Sequence, residues 1–348
     1  AQDLDLFLKL SEKADAVVHI PEILYHWRAS ASSTSINHDQ KHYADEAGRR
    51  AVAKAMARRC LSGDALFTDW KFFYRAKRSI KKDLSVSVVI DWDRQPSGML
   101  PWLTGLLAST GYEVSQLLMV VTAQECEAIA ASFGKKTGIN TACRIVPGDL
   151  SPAARWQSLL PDIQCEFVAF ACCDLENPGK EWLAALVEYG QLVDVGIVAG
   201  RVDYPEGYAD IASPIPDCSR TSPCYFHHFL TGSSQLMNGL HCPQEVIGVS
   251  GDFCLIRSEQ LKAMAPLDTP QFPSIFAFTD ISYRLIAQGK KNIYTPYCTA
   301  TMTEDGIARR RLWPLAALQE EKTSFQVKWS SFLKNGDPFY NIGIVTDK

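Results

Sequence analysis

At 348 residues, 47% hydrophobic and 21% charged, the chain holds about two domains at ~150 residues each and can bury a core without disulfide staples. That composition excludes a disordered or collagen-like chain, and no run approaches the ~18 uncharged apolar residues of a membrane-spanning helix. A net charge of −4 argues against a protein built to neutralise nucleic-acid phosphates.

The chain opens Ala1-Gln2-Asp3, with no initiator Met and no charged or apolar leader, which reads as a processed chain or a fragment. "DLDLFLKLSEKAD" has helical spacing, and "AVVHIPEILYHW" reads as a strand around one proline. A Ser/Thr-rich loop, "ASASSTSINHD", follows. "YADEAGRRAVAKAMARRC" predicts a helix with Ala47, Ala51, Val52, Ala55 and Met56 on one face. Arg50, Lys54 and Arg58 form a basic stripe on it, either a solvated face or one that meets acidic headgroups or a nucleotide.

From "LSVSVVI" (84–90) onward, strands and helices alternate. Helices are expected near 98–109, 123–134 and 151–160 and at "GKEWLAALVEYG", with strands at "QLLMVVT", "TACRIV", "CEFVAFACC" and "VGIVAGRV". Such alternation predicts an α/β domain with a largely parallel sheet flanked by helices. Residues 203–248 read as irregular; "GDFCLIR", "SEQLKAMA", "DISYRLIAQG" and "NIYTPY" then close the domain near 302, leaving helix and tail to the end.

Eleven cysteines, an odd number with no CxxC pair, read as reduced and mostly buried thiols of a cytosolic protein; the alternative is one disulfide between Cys218 and Cys224. The seven histidines show neither HExxH nor a zinc-type Cys/His spacing.

The opening segment and residues 279–305 share a layout. Asp3 heads a helix with Pro21 in the strand 18 residues on, and Asp280 heads one with Pro296 16 residues on. The chain therefore reads as the tail of one domain, residues 1–62, then a complete second copy over 82–306 and a C-terminal helix and tail over 307–348.

On these residues the chain resembles family 2 glycosyltransferases of the GT-A fold, of the tandem kind that builds bacterial cell-surface polysaccharide. "QDLDLFLKL…HIPEILYHWRASASSTS" resembles the end of one such domain. "LSVSVVIDWDRQ", "FVAFACCDLENPGKEWLAALV" and "GVSGDFCLIRS" resemble the opening strand, acidic motif and acceptor-side loop of another. The resemblance implies a GT-A-type, Rossmann-like sheet flanked by helices, and inverting transfer of a sugar from a nucleotide-sugar donor to a glycan or lipid-linked acceptor. It implies a cytoplasmic protein with peripheral contact at the inner membrane face, and no nucleic-acid partner.

Such chemistry asks for a carboxylate base and for a cation on the leaving diphosphate, usually Mg or Mn on oxygen ligands. By resemblance the base falls on Asp3 in the first copy and Asp280 in the second, against the plainer role of a helix N-cap. Asp174 and Glu176 fall on acidic positions of the metal motif, and His26 is the metal-side histidine of the first copy, unless it is an ordinary core or surface histidine. Asp91 and Asp93 are candidates for a nucleotide contact, or solvated turn residues.

The second copy departs from the pattern. Cys172 stands at the first acidic position of the metal motif, Thr122 where a nucleoside-binding Asp is expected, and Thr301 and Met302 where a His is usual. A thiol is a poor ligand for Mg or Mn, so the cation is expected to be weakened or absent there. Two readings follow. In one, the intact protein is a tandem transferase with an active upstream domain, and the divergent second copy transfers sugar slowly or uses Arg309, Arg310 and Arg311 in place of the metal, unless these are a solvated loop; in the other, 82–306 is an inactive pseudo-transferase that binds glycan or scaffolds an active partner domain. Tyr204, Tyr208, Tyr225 and Phe226 are its candidate sugar-stacking aromatics, or core. A nucleotidyltransferase is disfavoured, since the chain has neither a P-loop nor GxGxxG.

Overall fold

The computed structural model describes residues 2–18, 20, 42–205, 208–214, 226–230, 241–267, 270–274, 276–311, 315–334 and 339, with 208–214 and 226–230 described through their backbone. Residues 1–80 form one compact unit and residues 81–339 another.

The first unit holds helices α1 (Gln2–Ser11) and α2 (His42–Arg58) and a hairpin of β1 (Gly63–Phe67) and β2 (Tyr74–Arg78). α2 buries Ala51, Ala55 and Met56, the stripe its spacing predicts, while Arg50 and Lys54 stay exposed. Arg58 is not free in that stripe: it donates two 2.7 Å hydrogen bonds to Glu12. α1 buries no residue. Residues 16–18 are irregular rather than a strand, and 21–41 lie outside the described residues. The β1–β2 hairpin carries no apolar alternation; one of its residues, Ala65, is buried.

The second unit runs β3 (Val86–Trp92), α3 (Met99–Ala108), β4 (Gln116–Val121), α4 (Gln124–Thr137), β5 (Asn140–Ile145), α5 (Pro152–Leu159), β6 (Phe167–Ala171), β7 (Leu175–Glu176) and α6 (Trp182–Gly190). It continues with β8 (Val195–Asp203), β9 (Tyr208–Pro214), β10 (Phe226–Leu230), β11 (Gln244–Val246), β12 (Phe253–Arg257), α7 (Ser258–Ala263), α8 (Phe276–Ala287) and β13 (Lys291–Met302). α9 (Glu304–Arg311), α10 (Leu315–Lys328) and α11 (Ser330–Lys334) follow. Local signals set several boundaries. Ser151 caps α5 by accepting the Ala154 N–H at 3.1 Å, with Pro152 in the first turn, and α4 stops at Gly138, whose φ of 76° a side chain would resist.

These strands build one mixed sheet. β5, β4, β3 and β6 run parallel; β12 lies antiparallel between β6 and β8, and β13 pairs parallel with β8. β4 and β6 are buried at every position and β3 at all but one, so they read as continuous apolar runs rather than alternating ones. α5 and α8 pack on the sheet through Leu159, Phe278, Ile281 and Leu285. The expected α/β fold with a mostly parallel core is present.

Two features differ from the expected pattern. The segment expected to be irregular supplies β9, β10 and β11, a hairpin and a short edge strand. The described part of this excursion is strand, and β12 then enters antiparallel to both β6 and β8, outside the right-handed βαβ pattern of the preceding strands. The described cysteines are free thiols, with Cys126, Cys173, Cys254 and Cys298 buried. Cys218 and Cys224 lie outside the described residues.

Candidate active site

The chain steps from β3 outward to β4 and β5, then crosses back to β6 on the other side of β3. A crevice must open where the order reverses, outside the carboxyl ends of β3 and β6. Asp91 and Asp93 come from the end of β3, Cys172, Cys173 and Asp174 from the loop after β6, and Trp156 from α5. Because β12 is antiparallel, its start lies at the same end, so Ser250, Gly251 and Asp252 line the crevice too. The Cys172 N–H donates to the Asp252 carbonyl at 2.8 Å, joining the two loops.

α9 closes the crevice from above. The Thr303 N–H donates to the Asp174 carbonyl at 2.9 Å, and the Thr303 hydroxyl caps α9 by accepting the Gly306 N–H at 3.1 Å. A β-carbon on Gly306 would sit 2.6 Å from that of Asp174, so only glycine lets α9 come this close. This approach delivers Arg309 and Arg310 to the crevice.

Each acidic group in the crevice meets a guanidinium. Arg155, 5% exposed, pairs with Asp91. Arg309 contacts Asp93 at 3.2 Å through Nη1 and Asp174 through Nη2, bridging the loops after β3 and β6. Arg310 reaches Asp252 at 2.5 Å. Arg94 holds the Cys173 carbonyl at 3.0 Å. Burial pushes the Asp91 carboxyl up to about 6; Arg155 opposes this, and the neighbouring charge of Asp93 adds to it.

Among the described residues, the candidate metal-ligating group is Cys172, Cys173 and Asp174, with ligand atoms within 4.8 Å of one another. A hard divalent ion wants oxygen donors, and two of these three are thiols. The Cys173 thiol is held well above its ordinary range by its hydrogen bond with Cys172 and by burial. The Asp174 carboxylate is taken by Arg309. The residues present do not fit Mg or Mn.

The structure brings Asp91, Asp93 and Asp174 together, and within the same unit Glu176 and Asp280 do not line the crevice. Glu176 is exposed on β7, paired in register with Thr301. Asp3 is exposed in the first turn of α1, and His26 lies outside the described residues. Of the candidate aromatics, Tyr225 lies outside the described residues, while Tyr208 and Phe226 pair with Leu230 and Pro214 in the β9–β10 hairpin.

Asp280 is not at a helix head. α8 starts at Phe276, because Phe276 and Phe278 bury their rings there, and this puts Asp280 in the second turn. Its carboxylate, 5% exposed, receives Lys328 at 2.6 Å, the Trp329 indole N–H at 2.9 Å and Arg284 at 3.0 Å. Lys328 and Trp329 thereby tie α8 to the end of α10, while Arg284 belongs to α8 itself. The α8 side chain beside the crevice is Phe278, stacked edge-on to Trp156 and Phe170 at centroid distances of 5.0 and 4.8 Å and lying under Gly251.

Sequence reasoning missed Arg155, Asp252 and Gly306. Only Asp252 carried a signal, its place in "GVSGDFC" directly before an apolar strand. Arg155 sits in a short amphipathic helix, and nothing local marks it as facing a carboxylate 64 residues away.

No protein-family model matches the chain. The chain is similar to the uncharacterized protein y4gI of Sinorhizobium fredii, 24% identical over 357 residues, covering 100% of this chain and 39% of that protein. It is also similar to the O-antigen biosynthesis protein RfbC of Myxococcus xanthus, 23% identical over 345 residues, covering 98% of this chain and 26% of that one. The chain thus spans between a quarter and two fifths of the length of these relatives. Among solved structures, the crystal structure of GalNAc-T7 with UDP, GalNAc and Mn2+ matches with a TM-score of 0.50 at 13% identity, over 64% of this chain and 44% of that one. This likeness shows the fold alone, a GT-A-type α/β fold.

Proposed function

We propose that this chain is part of a glycosyltransferase that moves a sugar, with inversion, from a nucleotide-sugar to a glycan or lipid-linked acceptor during assembly of cell-surface polysaccharide. Residues 81–339 bind the donor. The observation that carries this is the crevice at the switch point of the sheet, where Asp91, Asp93 and Asp174 converge with two arginines of α9. Support comes from the GT-A-type fold and from the likeness to a protein named for O-antigen biosynthesis.

In this reading Asp91 and Asp93 meet the nucleoside or hold the groups that do, and Asp174 lies at the diphosphate. Mg or Mn, which the resemblance implies, has no place at Asp174. Asp280 is a structural anchor rather than the base. Asp3, Glu176 and His26 enter through the resemblance alone. No described helix is long and apolar enough to cross a membrane; peripheral contact at the cytoplasmic face of the inner membrane is the site of action proposed.

One observation favours the alternative, a donor-binding but inactive pseudo-transferase. Each described crevice carboxylate is paired with an arginine, and the acid of α8, Asp280, does not line the crevice and is held instead by Lys328, Arg284 and Trp329. The full chain, offered UDP-, GDP- and dTDP-hexoses with and without a lipid-linked or oligosaccharide acceptor, decides between them. Acceptor-dependent release of nucleoside diphosphate supports transfer, and binding without release supports the alternative. A chain that binds no nucleotide-sugar overturns both.

A further inference from the structure

The misfit between the crevice and a hard cation has a positive side, because the place such an ion would need is held by side-chain cations. We propose that Arg309 and Arg310 hold the donor diphosphate in this crevice directly, so that donor binding needs no divalent metal. The inference rests on the donor-binding reading given above.

Three observations carry it. First, the arginines are delivered by construction: Thr303 caps α9, its N–H anchors on the Asp174 carbonyl, and Gly306 removes the side chain that would push α9 off that loop. Second, Arg309 joins the loops after β3 and β6, the meeting point at which a nucleotide diphosphate lies in open α/β sheets. Third, both side chains keep solvent access, at 32% for Arg309 and 18% for Arg310.

A guanidinium presents five N–H donors in a planar fork. The contacts to Asp93, Asp174 and Asp252 use only some of them. The remaining edges can take phosphate oxygens in the bidentate geometry that makes arginine a strong phosphate ligand. The carboxylates then act as positioning residues: they hold long, flexible side chains in one arrangement before the ligand arrives, which lowers the ordering cost of binding.

The test is calorimetric titration of the full chain with UDP, GDP and dTDP, once in EDTA and once in Mn, with inorganic pyrophosphate as competitor. The same titration is run on Arg309→Gln, Arg310→Gln and a surface control, Arg144→Gln, whose wild-type side chain is paired with Asp162. The expected result is that at least one nucleoside diphosphate binds equally in EDTA and Mn, within about threefold. Pyrophosphate displaces it, each α9 variant loses at least about tenfold, and the control is unchanged. Binding that appears only with Mn, or that survives both α9 substitutions, overturns the inference and leaves the donor-binding reading standing. Binding of no nucleotide under either condition overturns that reading as well. The comparison of EDTA with Mn uses wild-type protein, so it decides the matter even if a variant fails to fold.

Discussion

Asp280 shows how one residue's partners decide its role. A carboxylate 5% exposed, held by Lys328, Arg284 and the Trp329 indole, has its lone pairs committed. Removing it leaves the Trp329 indole N–H and two partly exposed cations without their acceptor, and a lost hydrogen-bond partner of this kind costs about 1–3 kcal/mol. Asp280→Ala is therefore expected to lower the unfolding free energy by about that amount in denaturant titration, with nucleotide affinity unchanged; an unaltered stability with lost turnover would return Asp280 to catalysis. Asp91 makes the pH-dependent counterpart. The folded chain keeps its proton up to about pH 6, and the unfolded chain releases it near 3.8. Between those values the folded state binds more protons, so this group's contribution to stability falls as pH rises through the window and is level outside it. Asp91→Asn lacks that slope, and thermal melts from pH 4 to 7 should shift relative to wild type in the variant's favour by about 2 kcal/mol. A constant offset between the two proteins would contradict the raised value.

Among the elements, α9 is a short helix whose position depends on a single missing side chain. Alanine is preferred over glycine within a helix by about 1 kcal/mol, so propensity alone predicts that Gly306→Ala stabilises the chain. The contact it creates, 2.6 Å from the Asp174 β-carbon, forces α9 or the Asp174 loop to move, and such overpacking costs about 1–3 kcal/mol. The net expectation is a lower melting temperature together with weaker binding of nucleoside diphosphate. A melting temperature that rises would show that α9 is not seated on this loop. α8 makes a complementary case, since its two faces serve different neighbours: Phe278, Ile281 and Leu285 meet the sheet, and Phe276 and Tyr283 meet Phe325 and Trp329 of the C-terminal segment.

Over the whole molecule, the two compact units differ in how much they bury. In residues 1–80 the buried apolar side chains are Ala51, Ala55, Met56 and Ala65 among those described, and α1 contributes none. Residues 81–339 contain a continuous core of sheet strands and flanking helices. Stability follows buried apolar area, so calorimetry of the full chain is expected to show two transitions, with the smaller, cooler one belonging to residues 1–80. Brief proteolysis below the second transition should leave a resistant product that starts near residue 81. A single transition with uniform protease resistance would show the units to be one cooperative block.

The sequence by itself determined the α/β class, the order of strands and helices from β3 to β6, and the candidate acids at Asp91, Asp93 and Asp174. These depend on short-range signals: apolar runs of strand length, amphipathic helices between them, and polar residues directly after each strand. Tertiary structure alone decided which partners those acids have. Arg155 meets Asp91 from 64 residues away, Arg309 meets Asp93 across 216, and Asp280 is claimed by residues of α10 and its end. Pairings at such separations leave no local periodicity to read. The strand order that brings β3, β6 and β12 to one crevice is set by how their apolar faces pack together, and a carboxylate's electrostatic role follows from the cation that this packing places beside it.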